Sequence, residues 1–392
     1  MMISGKATRE GTQRYKERHI KNCHSNFFHE VGELTLSSIG LGTLTPPLNE
    51  QIYNLLTKAV EESIRNGVNM IDSSISYAYE QAERRVGEGI RNLIESGEAS
   101  RDELVICTKG GILPHPTKNR VEWFAQNYIE PSQFSIKKTD LVGTRYCIHP
   151  EYLQDQLDRS LDNLGVETID IYYIHNPERQ LSKFSPDVFY SKLRTAFEVM
   201  EDAVASGKIG AYGIATWEGS RLPRTARKYI DLARIKSVAQ EAAGNKEDKL
   251  KFIQLPLNMI RLEPLLLPTQ TINGKAVSML EAASHLGIFP VASHSIHKGR
   301  IAQRIPEDII SAFDNNFLND YQRGLQFTRS TPALASALVG MTKLEHIKQN
   351  LALKEVSSIE RKNFRNMTHS IEGALFFHYN FRLFSHYIKT IW

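Results

Sequence analysis

The sequence predicts an α/β chain closed as a (β/α)8 barrel, a TIM barrel, and three observations carry that prediction. Eight short apolar runs bounded by turn residues recur along the 392 residues. Each run is followed by helical spacing, and regular β-then-α alternation implies a parallel sheet, which eight units close. Successive runs stop at polar residues, Asp72, Lys109 and His175, and the C-terminal ends of strands are where a barrel places chemistry. Around the barrel, expected at 31–353, stand a basic N-terminal extension (1–30), a hairpin, a long loop after the third strand and a C-terminal helical segment (354–392).

Taken in order, Phe27 to Glu30 and Leu34 to Ser38 flank Gly32 as a small hairpin. Ser38-Ile39-Gly40-Leu41-Gly42-Thr43 is a short strand ending in small residues. Ile52, Leu55, Leu56, Ala59 and Val60 keep helical spacing until Gly67 stops them. The run Val68-Asn69-Met70-Ile71 gives out at Asp72, and Tyr77 comes five residues later. Val86, Ile90, Leu93 and Ile94 mark a helix, and Leu104 to Lys109 a buried strand. Residues 110–148, with Pro114, Pro116 and Pro131, break the rhythm as a long loop at the end carrying the polar candidates. Loops of that length in compact domains are usually functional or mobile.

The alternation then resumes. A helix at about 150–164 leads to strand Ile169 to Ile174, and a stripe of Leu193, Phe197, Met200 and Val204 to strand Ile209 to Ala215. A helix around 221–234, strand Phe252 to Pro256, a helix near 276–286 and strand Ile288 to Ala292 follow. A helical region at about 305–330 precedes the last strand, Leu334 to Val339, and the last barrel helix, Leu344 to Leu353. The tail opens as a charged helix at Lys354 and ends in the aromatic run Ala374 to Phe384.

Composition narrows the function classes. At 41% hydrophobic and 23% charged residues the chain is ordinary for a globular protein. Its net charge of +4 is too slight and dispersed to imply nucleic acid, and anionic small molecules fit it as well. Cys23, Cys107 and Cys147 are too widely spaced for a disulfide framework or a zinc site and suit a reducing cytoplasm. No apolar run reaches the ~20 residues of a membrane span, and no signal-peptide core follows the start. His294 and His297 lack a third ligand nearby, so no metal is expected.

Asp, Tyr, Lys and His at the ends of successive parallel strands resemble the aldo/keto reductase family, and the resemblance runs over roughly residues 30–353. Gly40-Leu41-Gly42-Thr43 is similar to the family's opening strand, Glu83 through Gly87-Glu88-Gly89 to the segment after its tyrosine, and Ile169 to His175 to its histidine strand. Gln254 and Asn258 match its nicotinamide-side strand, and Gly340-Met341-Thr342-Lys343 with His346 and Asn350 resembles its adenine-end loop and helix. The chain departs from the family at three points. Ala215-Thr216 stands where the family usually has Ser-Asn, Ser293 where it has a stacking tyrosine, and His346 where an arginine is common at the 2′-phosphate. The stretch Ser293 to Arg300, with Gly299, resembles the pyrophosphate-covering loop only loosely.

The resemblance implies an NAD(P)H-dependent oxidoreductase that interconverts an aldehyde or ketone and its alcohol. Carbonyl reduction builds negative charge on oxygen, which needs a proton donor and a group to hold the charge meanwhile. Implied roles are Tyr77 as acid, Lys109 as the cation that eases its ionisation, Asp72 as partner of Lys109, and His175 as second donor to the substrate oxygen. Cofactor contacts are implied at Gly42, Thr43, Asp72, Thr216, Gln254, Ser293, Gly299, Arg300, Gly340, Thr342, Lys343, His346 and Asn350. Tyr77, His175 and Trp217 would face the substrate, with Trp217 the candidate to cover the nicotinamide face that Ser293 leaves bare.

NADPH is favoured, on the family and on the basic Lys343 and His346, with NADH also open. The expected partner is a small carbonyl or alcohol, and monomer and homo-oligomer both remain open. Family members close the substrate pocket with C-terminal residues, so the tail is either a lid or a segment docked on the barrel wall or a subunit. A cofactor-binding regulatory subunit of the same fold is the alternative function, and a lyase or epimerase with transient use of cofactor a weaker one.

Overall fold

The structure, a computed structural model, describes residues 2–44, 50–116, 118–300, 305, 307–311, 313, 317 and 319–378. Helix α1 (Arg9–His19) precedes an antiparallel hairpin, β1 (Phe28–Val31) with β2 (Leu34–Ser37), that turns at Gly32. The barrel strands are β3 (Ile39–Gly42), β4 (Met70–Asp72), β5 (Val105–Gly110), β6 (Ile169–His175), β7 (Ile209–Ala215) and β8 (Leu250–Pro256). After a second hairpin, β9 (Gln270–Ile272) with β10 (Lys275–Val277), come β11 (Phe289–Ser293) and β12 (Ser336–Gly340). The eight barrel strands pair in parallel in the order β3-β4-β5-β6-β7-β8-β11-β12, and β12 returns to β3 with Gly340 opposite Gly42.

Side chains alternate along a strand, and that parity decides what faces the barrel axis. Met70, Val105, Cys107, Ile171, Tyr173, Phe252, Val291 and Leu338 form one buried cluster, the barrel interior. Ile71, Ile106, Tyr172, Ile174 and Ile253, of the opposite parity, join the cluster beneath the helices. The same inward parity carried one step further lands on Asp72, Lys109, His175 and Gln254. The strands therefore aim four polar side chains into the top of a column that is apolar below.

The helices around this core are α2 (Glu50–Arg65), α3 (Gln81–Glu95), α4 (Arg120–Phe124), α5 (Pro150–Leu164), α6 (Pro186–Ala205) and α7 (Leu232–Ala243). Then come α8 (Glu263–Leu266), α9 (Met279–His285), α10 (Glu307–Ile310), α11 (Asp320–Arg329), α12 (Leu344–Leu351) and α13 (Arg361–His378). Where the spacing predicts a helix around 221–234, the chain is mostly turns, and α7 starts at Leu232. Asp231 sets that start, because its carboxylate accepts from Arg234 N at 3.1 Å as an N-cap. The helix predicted near 276–286 begins at Met279, because Asn273-Gly274, both at positive φ, first turn a hairpin. The tail helix begins at Arg361, later than expected, since Ala352–Glu355 is only a 3-10 turn.

The N-terminal segment is built into the barrel floor. Tyr15 is fully buried and its hydroxyl donates to Ile64 O (2.5 Å) and Val68 O (3.0 Å). Asp170, at the foot of β6, accepts from Ala7 N, Ile106 N and the Arg101 guanidinium at 2.7–2.8 Å. Loop 110–148 also packs: Leu113, Phe124, Tyr128, Ile136, Leu141, Cys147 and Tyr152 share a buried cluster. Of the tail, Phe364, Met367 and Ile371 are buried against the core, and Phe364 stacks on Phe327 of α11 at 4.8 Å. Residues 379–384 of the aromatic run lie outside the described residues, and the side chains of 374–378 are likewise not described.

Candidate active site

The site stands on the C-terminal ends of β4, β5 and β6. Lys109 is completely enclosed and its Nζ donates to Asp72 Oδ2 (2.5 Å) and Ser73 O (2.6 Å). The other Asp72 oxygen accepts from Gln254 Nε2 at 2.8 Å, and Thr43 donates its hydroxyl to Asp72 O at 3.0 Å. Burial acts against both charges and raises Asp72 toward neutrality. For Lys109 the carboxylate and Tyr77 outweigh burial and lift the amine above its ordinary value. With every carboxylate oxygen met by a donor, the ionised pair is the form this geometry holds.

Tyr77 is half-buried, its ring 5.0 Å from Lys109 Nζ and edge-on to His175 at 6.1 Å. Burial pushes its hydroxyl above the ordinary phenol range, and the Lys109 cation opposes that rise without cancelling it. The expected fall of the tyrosine value therefore does not appear in the closed-in site, because desolvation of the phenolate is the larger effect. His175 is held neutral, well below its usual value, by burial and by the charges of Lys109 and Arg145. Its Nδ1 lies 3.3 Å from Ser74 Oγ, so a Ser74 hydroxyl turned toward it leaves the proton on Nε2.

Three residues after the tyrosine, Ala78, Tyr79 and Glu80, all take positive φ (48°, 54° and 73°). L-residues in that region carry strain, which persists only where neighbours enforce it. Here Glu80 ion-pairs with Arg159 of α5 and Arg84 of α3. The turn holding Tyr77 is thus clamped from behind.

Behind β5 stands a second buried acid, Glu83 of α3, which meets Thr108, the outward neighbour of Lys109. It accepts from Thr108 Oγ1 at 2.6 Å and Asn163 Nδ2 at 2.9 Å, and burial raises its carboxyl from 4.5 to about 7. The native state binds this proton more tightly than the unfolded chain. Its contribution to stability is therefore full below 4.5 and lost as pH rises through about 7. That gap corresponds to about 3 kcal/mol. Glu83→Gln is expected to gain on the wild type by that amount between pH 5 and 8. Urea unfolding of both proteins across the range checks it, and a constant difference would show that Glu83 does not titrate there.

The remaining predicted residues form an arc along β7, β8, β11 and β12. Thr216 is buried, and its Oγ1 accepts from Gly219 N at 3.1 Å. Trp217 sits half-buried, edge-on to His294 at 5.0 Å, with the Arg261 guanidinium 5.3 Å from its ring. Ser293 is half-buried at the end of β11, Gly299 lies at positive φ, and Arg300 is exposed. Asn258 Nδ2 donates to His294 O at 2.9 Å, which ties the loops after β8 and β11 together. At the closing pair, a Cβ built on Gly340 would meet, among the described residues, only Gly42 O, at 3.8 Å, so they leave the rim there open.

Thr342 is half-buried, Lys343 and His346 are exposed, and α12 starts between them with no side-chain cap. Its free N–H groups suit a phosphate. Asn350 is buried with no side-chain hydrogen bond among the described residues. An open glycine rim, an uncapped helix start and an amide, Asn350, with no hydrogen bond among the described residues together fit a dinucleotide laid from the barrel centre to α12.

Sequence reasoning missed Glu178, Arg145 and Ser74. Glu178 is fully buried after His175, and its Oε1 accepts from Trp217 N (2.9 Å) and Glu218 N (3.0 Å), fixing the loop after β7. Its place in Asn176-Pro177-Glu178 was the available signal. Among the described residues no His, Cys, Asp and Glu group could hold a metal, and no helix is long and apolar enough to cross a membrane.

Comparison with known proteins agrees with this fold. The model of the aldo/keto reductase family matches residues 38–309. The uncharacterized oxidoreductase YqkF of Bacillus subtilis is 21% identical over 82% of this chain and 88% of its own length. An NADH-specific methylglyoxal reductase of Escherichia coli is 25% identical over 50% of this chain, and the chain spans about half of that relative (52%). Among solved structures, an aldo/keto reductase from Klebsiella pneumoniae in complex with NADP and acetate superposes with a TM-score of 0.58 at 18% identity, covering 87% of this chain and 93% of that one. One from Bacillus halodurans, in its holo form, gives 0.59 at 16%, covering 88% and 95%. At such identities the solved structures speak for the fold alone.

Proposed function

This chain belongs to the aldo/keto reductase family, and from that premise we propose that it interconverts an aldehyde or ketone and its alcohol, with Tyr77 as the general acid. The observation that carries the reading is the enclosed Lys109, whose Nζ lies 2.5 Å from Asp72 and 5.0 Å from the Tyr77 ring. A cation buried between a carboxylate and a phenol has one evident use, to stabilise the phenolate left when the phenol gives up its proton. A reduced nicotinamide dinucleotide, when bound, supplies the hydride. Tyr77 then protonates the substrate oxygen, the neutral His175 donates a second hydrogen bond from Nε2, and Asp72 keeps Lys109 charged and in place.

For the dinucleotide, Gln254, Thr216 and Ser293 would border the nicotinamide, and Gly42 and Gly340 would leave room for the chain of phosphates. Lys343 and His346 would meet the 2′-phosphate, which favours NADPH. The E. coli relative, NADH-specific by name, keeps the other cofactor in view. Following cofactor absorbance with a panel of aldehydes and ketones, with NADPH and NADH in parallel, tests the reading. Turnover that consumes cofactor is expected, and product without net consumption, or none with either cofactor, overturns it.

Trp217 would shield the nicotinamide face that Ser293 leaves uncovered. Trp217→Ala is accordingly expected to weaken NADPH binding by about 1 kcal/mol, the size of one aromatic contact. Calorimetric titration reads this directly. Unchanged affinity would remove Trp217 from the cofactor site.

A further inference from the structure

The segment around Arg145 lies beside the site. Leu113 N donates to Arg145 O at 2.9 Å and Cys147 N to Gly111 O at 3.0 Å, while Tyr146 bridges both Ile112 and Val142. Gly111 lies directly against the catalytic histidine, since a Cβ built there would stand 3.5 Å from His175 N. The ring of Tyr146 carries two guanidinium groups, Arg145 at 5.4 Å and Arg179 at 5.7 Å from its centroid.

The two arginines differ in what balances them. Arg179 shares Glu218 with Lys228, at 3.4 and 2.8 Å. Arg145 makes no ion pair among the described residues, and its enclosed Nε, like that of Arg179, has no hydrogen-bond partner there. Its charge is felt by its neighbours, because it helps to lower both His175 and the buried Arg120. A half-buried guanidinium beside other cations, with a donor left unmet, is destabilising unless an anion arrives.

We propose that Arg145 is the specificity handle of the site and that the substrate is a carbonyl compound bearing a carboxylate. The guanidinium fork matches a carboxylate in two parallel hydrogen bonds, and the Tyr146 ring, flanked by Arg179, backs it. The carboxylate would dock there and leave the carbonyl to Tyr77 and His175. The inference rests on the carbonyl-reduction reading given above.

Two measurements on the full chain test it. In the first, kcat/KM for succinic semialdehyde is divided by that for butanal, in wild type, Arg145→Gln and Arg145→Lys. The wild type is expected to prefer the acid, Arg145→Gln to lower the ratio by about 10- to 100-fold, as for a lost charged hydrogen bond, and Arg145→Lys to recover part of it. In the second, succinate binding is followed by calorimetry without any turnover, and Arg145→Gln is expected to weaken it by a similar factor. A ratio and a succinate affinity that ignore the substitution overturn the proposal. Inorganic phosphate binding at Arg145 more tightly than succinate overturns the carboxylate assignment. If no carbonyl is reduced at all, the catalytic reading fails by itself, and the succinate titration still decides whether Arg145 holds an anion.

Discussion

Tyr77→Phe is expected to lower carbonyl turnover by about 10²–10⁴-fold, the usual contribution of a positioned acid. The substitution removes one oxygen and keeps the ring, so the edge contact with His175 at 6.1 Å and the packing over Lys109 at 5.0 Å persist. Cofactor affinity should therefore change little. Burial raises the Tyr77 hydroxyl above its ordinary value, so the wild-type acid stays protonated through neutral pH. Single-turnover kinetics with enzyme in excess isolates the chemical step from product release. Near-normal turnover there would remove Tyr77 from the mechanism.

Asp72→Ala is expected to cost about 3–5 kcal/mol of folding stability, the penalty for leaving one member of a buried ion pair alone. Lys109 would lose its carboxylate and keep Ser73 O at 2.6 Å and the neighbouring Tyr77, and Gln254 would lose its acceptor at 2.8 Å. Pairing Asp72→Ala with Lys109→Met should return part of the loss, since the double variant buries no lone charge. Denaturant unfolding of the single and double variants reads both terms. A single variant within 1 kcal/mol of wild type, well below that expected range, would show that the pair is not held as an ion pair. Activity should fall in either variant, because the cation beside Tyr77 is displaced in one and absent in the other.

The barrel was legible because its strands are buried on both faces and so read as continuous apolar runs such as Leu104 to Cys107 and Ile169 to Ile174. Parity within those runs is invisible, so inward Cys107 and outward Ile106 look alike until neighbours are known. The position of α7 was misjudged because the turns before it contain scattered apolar residues, whereas the deciding signal was one carboxylate, Asp231. Helix α1, inside the expected basic extension, is not legible as a packed element because its burial rests on few residues, chiefly Tyr15. Asp72, Tyr77, Lys109 and His175 could be named through family resemblance. That Arg145 has no acid among the described residues could not be read that way, since it depends on which carboxylates other segments spend elsewhere.

The closing pair of strands has a consequence for how such a chain can diversify. Every proposed catalytic side chain lies between residues 72 and 175, on β4 to β6 or, for Tyr77, in the turn after β4, whereas ten of the thirteen proposed dinucleotide contacts lie between residues 216 and 350. The two sets meet at Gln254, which holds Asp72 at 2.8 Å, and across the Gly42–Gly340 seam. The chain is divided lengthwise into an acid-bearing half and a half that would carry the reductant. Exchange of the second half between relatives could therefore change the cofactor while Tyr77 and Lys109 are inherited intact, provided the donor brings a glutamine to the place of Gln254.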